Sequence, residues 1–100
     1  MTEDPLVGEW SKEDRDPCSS SYPDELELHP DGRYTGRMRP GAAEHPRWDV
    51  GTYERVERGM LAISTFTDEV VRYAFTLDDD RLTFSDEQGC TFAYRRRLRD

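Results

Sequence analysis

The sequence predicts an all-β fold, namely an eight-stranded antiparallel up-and-down β-barrel without a long helix. Apolar and polar residues alternate through most of the 100-residue chain, which is typical of strands that bury one face. Helical periodicity is nearly absent, and turn sequences rich in Gly, Pro and Asp separate the alternating runs. We therefore expect one domain over residues 1–100, with residues 1–4 frayed. An open sandwich is the alternative, but barrel closure removes exposed strand edges.

Eight runs are interpreted as strands, and the sequences between them explain where each strand ends. They span residues 6–12, 24–29, 33–38, 48–56, 60–66, 70–77, 81–85 and 91–98. The second and third strands meet at a Pro-Asp-Gly sequence ending at Gly32, where Pro presets φ and Gly accepts a positive φ. The later turns are predicted at Gly59, residues 67–69, residues 78–80 and Gly89.

Alternation assigns an inward face to the strands from the second to the eighth. The expected lumen residues are Leu26, Leu28, Tyr34, Met38, Trp48, Leu61, Ile63, Val71, Tyr73, Phe75, Leu82, Phe84, Phe92 and Tyr94. In the fourth strand Trp48 and Tyr53 fall on opposite faces, so we expect a bulge near Gly51. Alternate connections of an up-and-down barrel lie at one end. The long connections 13–23 and 39–47 should therefore form a mouth, and the tight turns a floor.

The composition argues against several classes of function. The chain has 22 acidic residues and 14 Lys or Arg residues, and its formal net charge of −8 argues against nucleic acid as a partner. No apolar segment is long enough to span a membrane, and no secretory signal is visible, so we expect a cytoplasmic location. The sequence contains no recognisable catalytic, metal-binding or cofactor-binding motif, and His45 is interpreted as an exposed loop residue.

Both ends of the chain resemble the lipocalins and their calycin relatives. Gly8-Glu9-Trp10 matches the family's G-x-W opening, in which the Gly lets the chain bend and the Trp plugs the barrel floor. In the family a basic side chain of the last strand packs over this Trp, and face counting from Tyr94 selects Arg96 for that role. The resemblance implies a minimal lipocalin-like barrel that lacks the helix lipocalins carry after the barrel.

The resemblance further implies that a small, largely apolar molecule binds at the open barrel mouth. The candidate ligand-binding residues are Tyr34, Met38, Trp48, Tyr73, Phe75, Phe92 and Tyr94. The alternative is that these side chains simply fill a small barrel. Two further functions stay open: a cyclase-type enzyme acting on a hydrophobic biosynthetic intermediate, and a protease inhibitor that inserts residues 1–5 into its partner. A non-catalytic role is favoured over an enzyme.

The predicted topology brings the two cysteines together at the mouth. Cys18 lies in the connection 13–23, Cys90 lies at the start of the last strand, and the first and last strands are neighbours in a closed barrel. One possibility is a disulfide between them. The other is a pair of reduced thiols, which is the ordinary state in the cytoplasm.

Overall fold

The computed structural model describes residues 5–13, 17–39, 48–65 and 69–97, and these form a closed antiparallel barrel of eight strands. The strands are β1 (Gly8–Lys12), β2 (Glu25–Leu28), β3 (Arg33–Arg37), β4 (Val50–Glu57), β5 (Met60–Ser64), β6 (Val70–Asp78), β7 (Arg81–Ser85) and β8 (Thr91–Arg96). Each strand pairs with the next one in sequence, and β1 pairs with β8 to close the barrel. The predicted fold class is therefore confirmed.

The strand bounds follow the alternation and the turn chemistry of the sequence. Gly32 and Gly59 adopt φ angles of 90° and 76° in the β2–β3 and β4–β5 turns, in a region that is unfavourable for residues with a Cβ. One turn of 3-10 helix, Pro17–Ser19, interrupts the β1–β2 connection. In the described parts of the chain, no helix is long and apolar enough to cross a membrane. Residues 1–4, His45 and most of the predicted turn 67–69 lie outside the described residues.

The bulge predicted near Gly51 is wrong. The β3–β4 pairing is regular from Val50 to Thr52, and the register of β4 shifts instead between Arg55 and Glu57. Trp48 precedes the first residue of β4, so its side chain does not have to follow the strand's alternation. Gly51 has a different role, because a Cβ at this position would overlap the carbonyl oxygen of Ser64.

The inward-facing side chains form a single apolar core along the barrel axis. Its fully buried large members are Trp10, Trp48, Tyr22, Tyr34, Tyr73, Tyr94, Phe84, Phe92, Leu6, Leu28, Leu61 and Ile63. Each fully buried aromatic side chain removes about 150–250 Å² from water, so a few rings supply much of the hydrophobic stabilisation of this small domain. Several rings of this core lie at the mouth end by topology: Tyr22 in the β1–β2 connection, Trp48 just before β4, Phe84 near the end of β7 and Phe92 near the start of β8.

Candidate functional site

The floor end of the barrel is closed by an arginine stacked on a tryptophan. Cζ of Arg96 lies 4.4 Å from the centroid of the Trp10 ring, and the Trp10 indole Nε1 donates a hydrogen bond of 3.0 Å to the Leu6 carbonyl. Nη1 of Arg96 donates to the Val7 carbonyl at 2.8 Å. A Cβ at Gly8 would lie 2.6 Å from this Nη1, so the glycine makes room for the guanidinium. The structure thus brings Gly8, Trp10 and Arg96 together.

Replacing Arg96 by lysine is expected to lower the free energy of unfolding by about 1–3 kcal/mol. A lysine keeps the positive charge but loses the planar group that stacks on the Trp10 indole and donates to two carbonyls. Urea unfolding measures the loss. Arg95→Lys is the matched control, since Arg95 faces outward on the same strand with its side chain 63% exposed. Equal effects of the two substitutions would contradict a specific role for Arg96.

Trp48 occupies the centre of the mouth half. Its side chain is fully buried, and its indole Nε1 donates a hydrogen bond of 3.2 Å to the Tyr73 hydroxyl. Five aromatic rings surround it at centroid distances of 4.9 to 6.5 Å, namely those of Tyr22, Tyr34, Tyr73, Phe84 and Phe92. Most of these contacts are edge-to-face, which is a favourable arrangement for aromatic pairs.

A glycine in β3 allows the Trp48 backbone to reach this position. The main-chain N–H of Gly36 donates a hydrogen bond of 2.6 Å to the Asp49 carbonyl. A Cβ at Gly36 would overlap the carbonyl oxygen of Trp48 and would press against the Pro23 ring. The segment 48–49 therefore crosses directly over Gly36, and this crossing directs the indole into the lumen without making it part of a strand.

Tyr22 closes the mouth from the other long connection. Its ring is fully buried and stacks on Phe92, with centroids 4.0 Å apart and planes inclined by 18°. Its hydroxyl donates a hydrogen bond of 2.9 Å to Oδ2 of Asp86, which follows β7. Tyr22 also contacts Trp48 edge-on at 5.2 Å, so the two connections meet inside the barrel rather than above it.

Hydrogen bonds from Lys12 and Tyr94, together with a disulfide, hold the segment 17–23 that carries Tyr22. Nζ of Lys12 donates hydrogen bonds of 2.8 and 2.9 Å to the carbonyls of Ser19 and Tyr22, and only 4% of the Lys12 side chain is exposed. The Tyr94 hydroxyl donates a bond of 2.7 Å to the Pro23 carbonyl. A disulfide joins Cys18 to Cys90, with their Cα atoms 5.9 Å apart. Of the two states that the sequence allows for the cysteines, the structure has the disulfide.

Burial raises the pKa of the Tyr34 and Tyr94 hydroxyls above the ordinary value of 10.0. A nearby negative charge raises each pKa further, that of Asp49 for Tyr34 and that of Asp24 for Tyr94. Both hydroxyls donate hydrogen bonds to main-chain carbonyls, Tyr34 to Ser64 at 3.1 Å and Tyr94 to Pro23. A phenolate could not donate these bonds, so the folded barrel favours the protonated form.

The barrel is therefore expected to lose stability as the pH rises above about 10. Above that pH the unfolded chain releases the two protons while the folded protein still binds them, so the free energy of unfolding falls with pH. Phenolate absorbance and circular dichroism, followed together against pH, test this. Tyr94→Phe should reduce the alkaline loss of stability. Titration of all five tyrosines near pH 10 in a protein that stays folded would contradict the expectation.

Five of the six other predicted ligand-binding residues belong to the buried core that contains Trp48, and Met38 does not. Tyr34, Tyr73, Phe92 and Tyr94 belong to the buried core around Trp48. Phe75 belongs to the same core, and the Arg55 guanidinium lies 5.4 Å from its ring centroid. Met38 follows the last residue of β3, is half-buried and is not among the residues of the core.

Sequence reasoning missed Tyr22 and Lys12, which shape the mouth as much as the predicted residues do. Tyr22 is the one aromatic residue of the polar connection 13–23. A single aromatic residue among polar ones was the available sign that this position is buried. Lys12 pairs with Tyr94 across β1 and β8, so it lies on the inward face, where an unpaired lysine would be very unfavourable. No protein-family model matches the chain, and no curated protein matches it. The closed barrel is compatible with a calycin-like fold.

Proposed function

We propose that this chain is a lipocalin-like, non-catalytic barrel that binds a small, largely apolar molecule in the mouth half of its lumen. One observation carries the proposal: the side chain at the centre of that half, Trp48, comes from a connection and not from a strand. Its indole is enclosed by aromatic rings, with one hydroxyl as a polar partner. Such a combination of apolar walls and few polar groups is typical of ligand pockets.

The proposed binding mode is exchange of the Trp48 indole for the ligand. Outward movement of the Trp48 indole breaks its bond to the Tyr73 hydroxyl, and the residue lies before Val50, the first residue of β4. An apolar molecule entering from the mouth would regain the ring contacts, and its own donor could use the Tyr73 hydroxyl. Trp48 and the ligand compete for one space, so only protein with the indole outside can bind. The observed affinity is therefore the affinity of that open form multiplied by the fraction of protein that adopts it.

The test is a titration of the wild-type protein with fatty acids, polyketides and tetrapyrroles, followed by tryptophan emission and thermal shift. A bound molecule should raise the melting temperature and shift the Trp48 emission to the red as the indole enters water. Trp48→Ala removes the competing side chain, and its affinity should be about tenfold higher or more. Leu77→Val, which changes a partly buried side chain near the end of β6 that is not a candidate ligand-binding residue, is the control. Absence of binding to both the wild-type and the Trp48→Ala protein, with the disulfide intact and after its reduction, would refute the proposal.

The location and partners are part of the same proposal. We retain the cytoplasmic location expected from the sequence, and a small apolar molecule as the partner rather than nucleic acid or a membrane. In the cytoplasm thiols are kept largely reduced. The Cys18–Cys90 disulfide would then form and break with the redox conditions, and its position at the mouth gives this a direct bearing on the site.

A further inference from the structure

We propose that the Cys18–Cys90 disulfide is a redox latch on the barrel mouth, and that its reduction by a thiol or dithiol opens the lumen. This inference rests on the proposed function, because it names the condition under which the mouth site becomes accessible. The bond joins the segment 17–23 to the first residues after the β7–β8 turn. The same two parts of the chain hold the Tyr22 ring inside the barrel.

The disulfide and the Tyr22 contacts act on the same junction. The Tyr22 hydroxyl donates to Oδ2 of Asp86, and Oδ1 of Asp86 accepts the main-chain N–H of Cys90 at 2.8 Å. Tyr22 also stacks on Phe92, two residues after Cys90. Hydrogen bonds and ring contacts open and close rapidly, whereas the S–S bond is covalent. The disulfide therefore limits how often the segment can leave the mouth.

The two sulfurs differ in their access to a reductant. Cys18 is an exposed residue, whereas Cys90 is only 7% exposed. We expect a thiolate to attack Sγ of Cys18, which forms a mixed disulfide, and Cys90 to leave as a thiolate that takes up a proton. A second thiol then attacks the sulfur of the reductant in the mixed disulfide. Cys18 is released as a thiol, and the reductant leaves as its own disulfide.

Hydrogen bonds from β1 and β8 remain after reduction. Lys12 binds the carbonyls of Ser19 and Tyr22, and Tyr94 binds the carbonyl of Pro23. These contacts retain the end of the segment that leads into β2. On the side that faces the β7–β8 turn, reduction removes the covalent link, while the Tyr22 ring and hydroxyl still contact Phe92 and Asp86. We infer that Tyr22 leaves the lumen by a local movement of the segment, with the strands still paired.

Hydrogen exchange measured by mass spectrometry, without any ligand, tests the latch directly. Reduction with dithiothreitol should raise the exchange rates of amides 18–22 about tenfold or more, while amides in β5 and β6 remain strongly protected because the strands stay paired. The Cys18→Ser/Cys90→Ser variant should show the open pattern with or without dithiothreitol. Equal protection of residues 17–23 in both redox states would overturn the proposal. Complete loss of protection along all strands would overturn it as well, because the reduced protein would then be unfolded and not locally open.

Binding of the neutral dye Nile red separates the latch from the proposed function. The affinity for the dye should rise about tenfold or more on reduction. Tyr22→Ala should bind the dye equally well when oxidised, since it removes the closing ring and keeps the disulfide. If amides 18–22 open and no dye binds, the proposed function fails and the latch stands. If those amides stay protected, the latch fails whatever the dye does.

Discussion

Replacing both cysteines by serine is expected to lower the free energy of unfolding by about 4 kcal/mol. The bond joins residues 72 positions apart, so it restricts a large loop of the unfolded chain. The corresponding fall in melting temperature is about 15–30 °C for a domain of this size. Urea unfolding and calorimetry without reductant measure both quantities. The variant should still fold at room temperature, because small domains are stable by roughly 5–15 kcal/mol.

The wild-type protein in dithiothreitol is the matched control for this variant. It should reach the same reduced stability, and the reductant should leave the stability of Cys18→Ser/Cys90→Ser unchanged. A difference of less than about 1 kcal/mol between oxidised and reduced wild-type protein would contradict the chain-entropy account. It would mean that the unfolded chain is already compact in the region that the bond closes.

Replacing Trp48 by alanine is expected to lower the free energy of unfolding by about 3–5 kcal/mol. The substitution empties the space between five aromatic rings and leaves the Tyr73 hydroxyl without its indole donor. Chemical unfolding of the two proteins, with the disulfide intact, measures the loss. Added apolar molecules should restore part of it by occupying the vacated space.

Trp48→Phe is the control for the size of the cavity. It keeps one ring in the pocket, so its loss of stability should be clearly smaller than that of Trp48→Ala. A loss below about 1 kcal/mol for Trp48→Ala would contradict tight packing around the indole. The pocket would then collapse without its occupant, and exchange between Trp48 and a ligand would have little driving force.

The strands could be predicted from the sequence because each one has an apolar face and a recognisable end. Leu26 and Leu28 alternate with glutamates, and Gly32 completes the following turn. These two signals are enough to predict β2 and its pairing with β3. The start of β4 could not be predicted in this way. Strict alternation would place Trp48 and Val50 on the same face of the strand. In the structure Trp48 is buried and Val50 is exposed. The crossing over Gly36, a tertiary contact, decides this difference.

The site could be predicted only where it consists of strand residues. Tyr73 and Phe92 follow from alternation, and Arg96 follows from the G-x-W resemblance. Tyr22 could not be assigned, because a ring in an irregular connection has no period from which to infer its direction. Lys12 was missed for a related reason. A lysine at a strand end is ordinarily exposed, and only the carbonyls of the segment above it make burial favourable.

The pairing of β1 with β8 has a consequence for how this chain folds during synthesis. Trp10 of β1 and Arg96 of β8 face each other across that pair, so their contact can form only after β8 has left the ribosome. Until β8 emerges, β1 and β7 each present an unpaired edge. We therefore expect the nascent chain to stay open, and vulnerable to association with other chains, until β8 has left the ribosome.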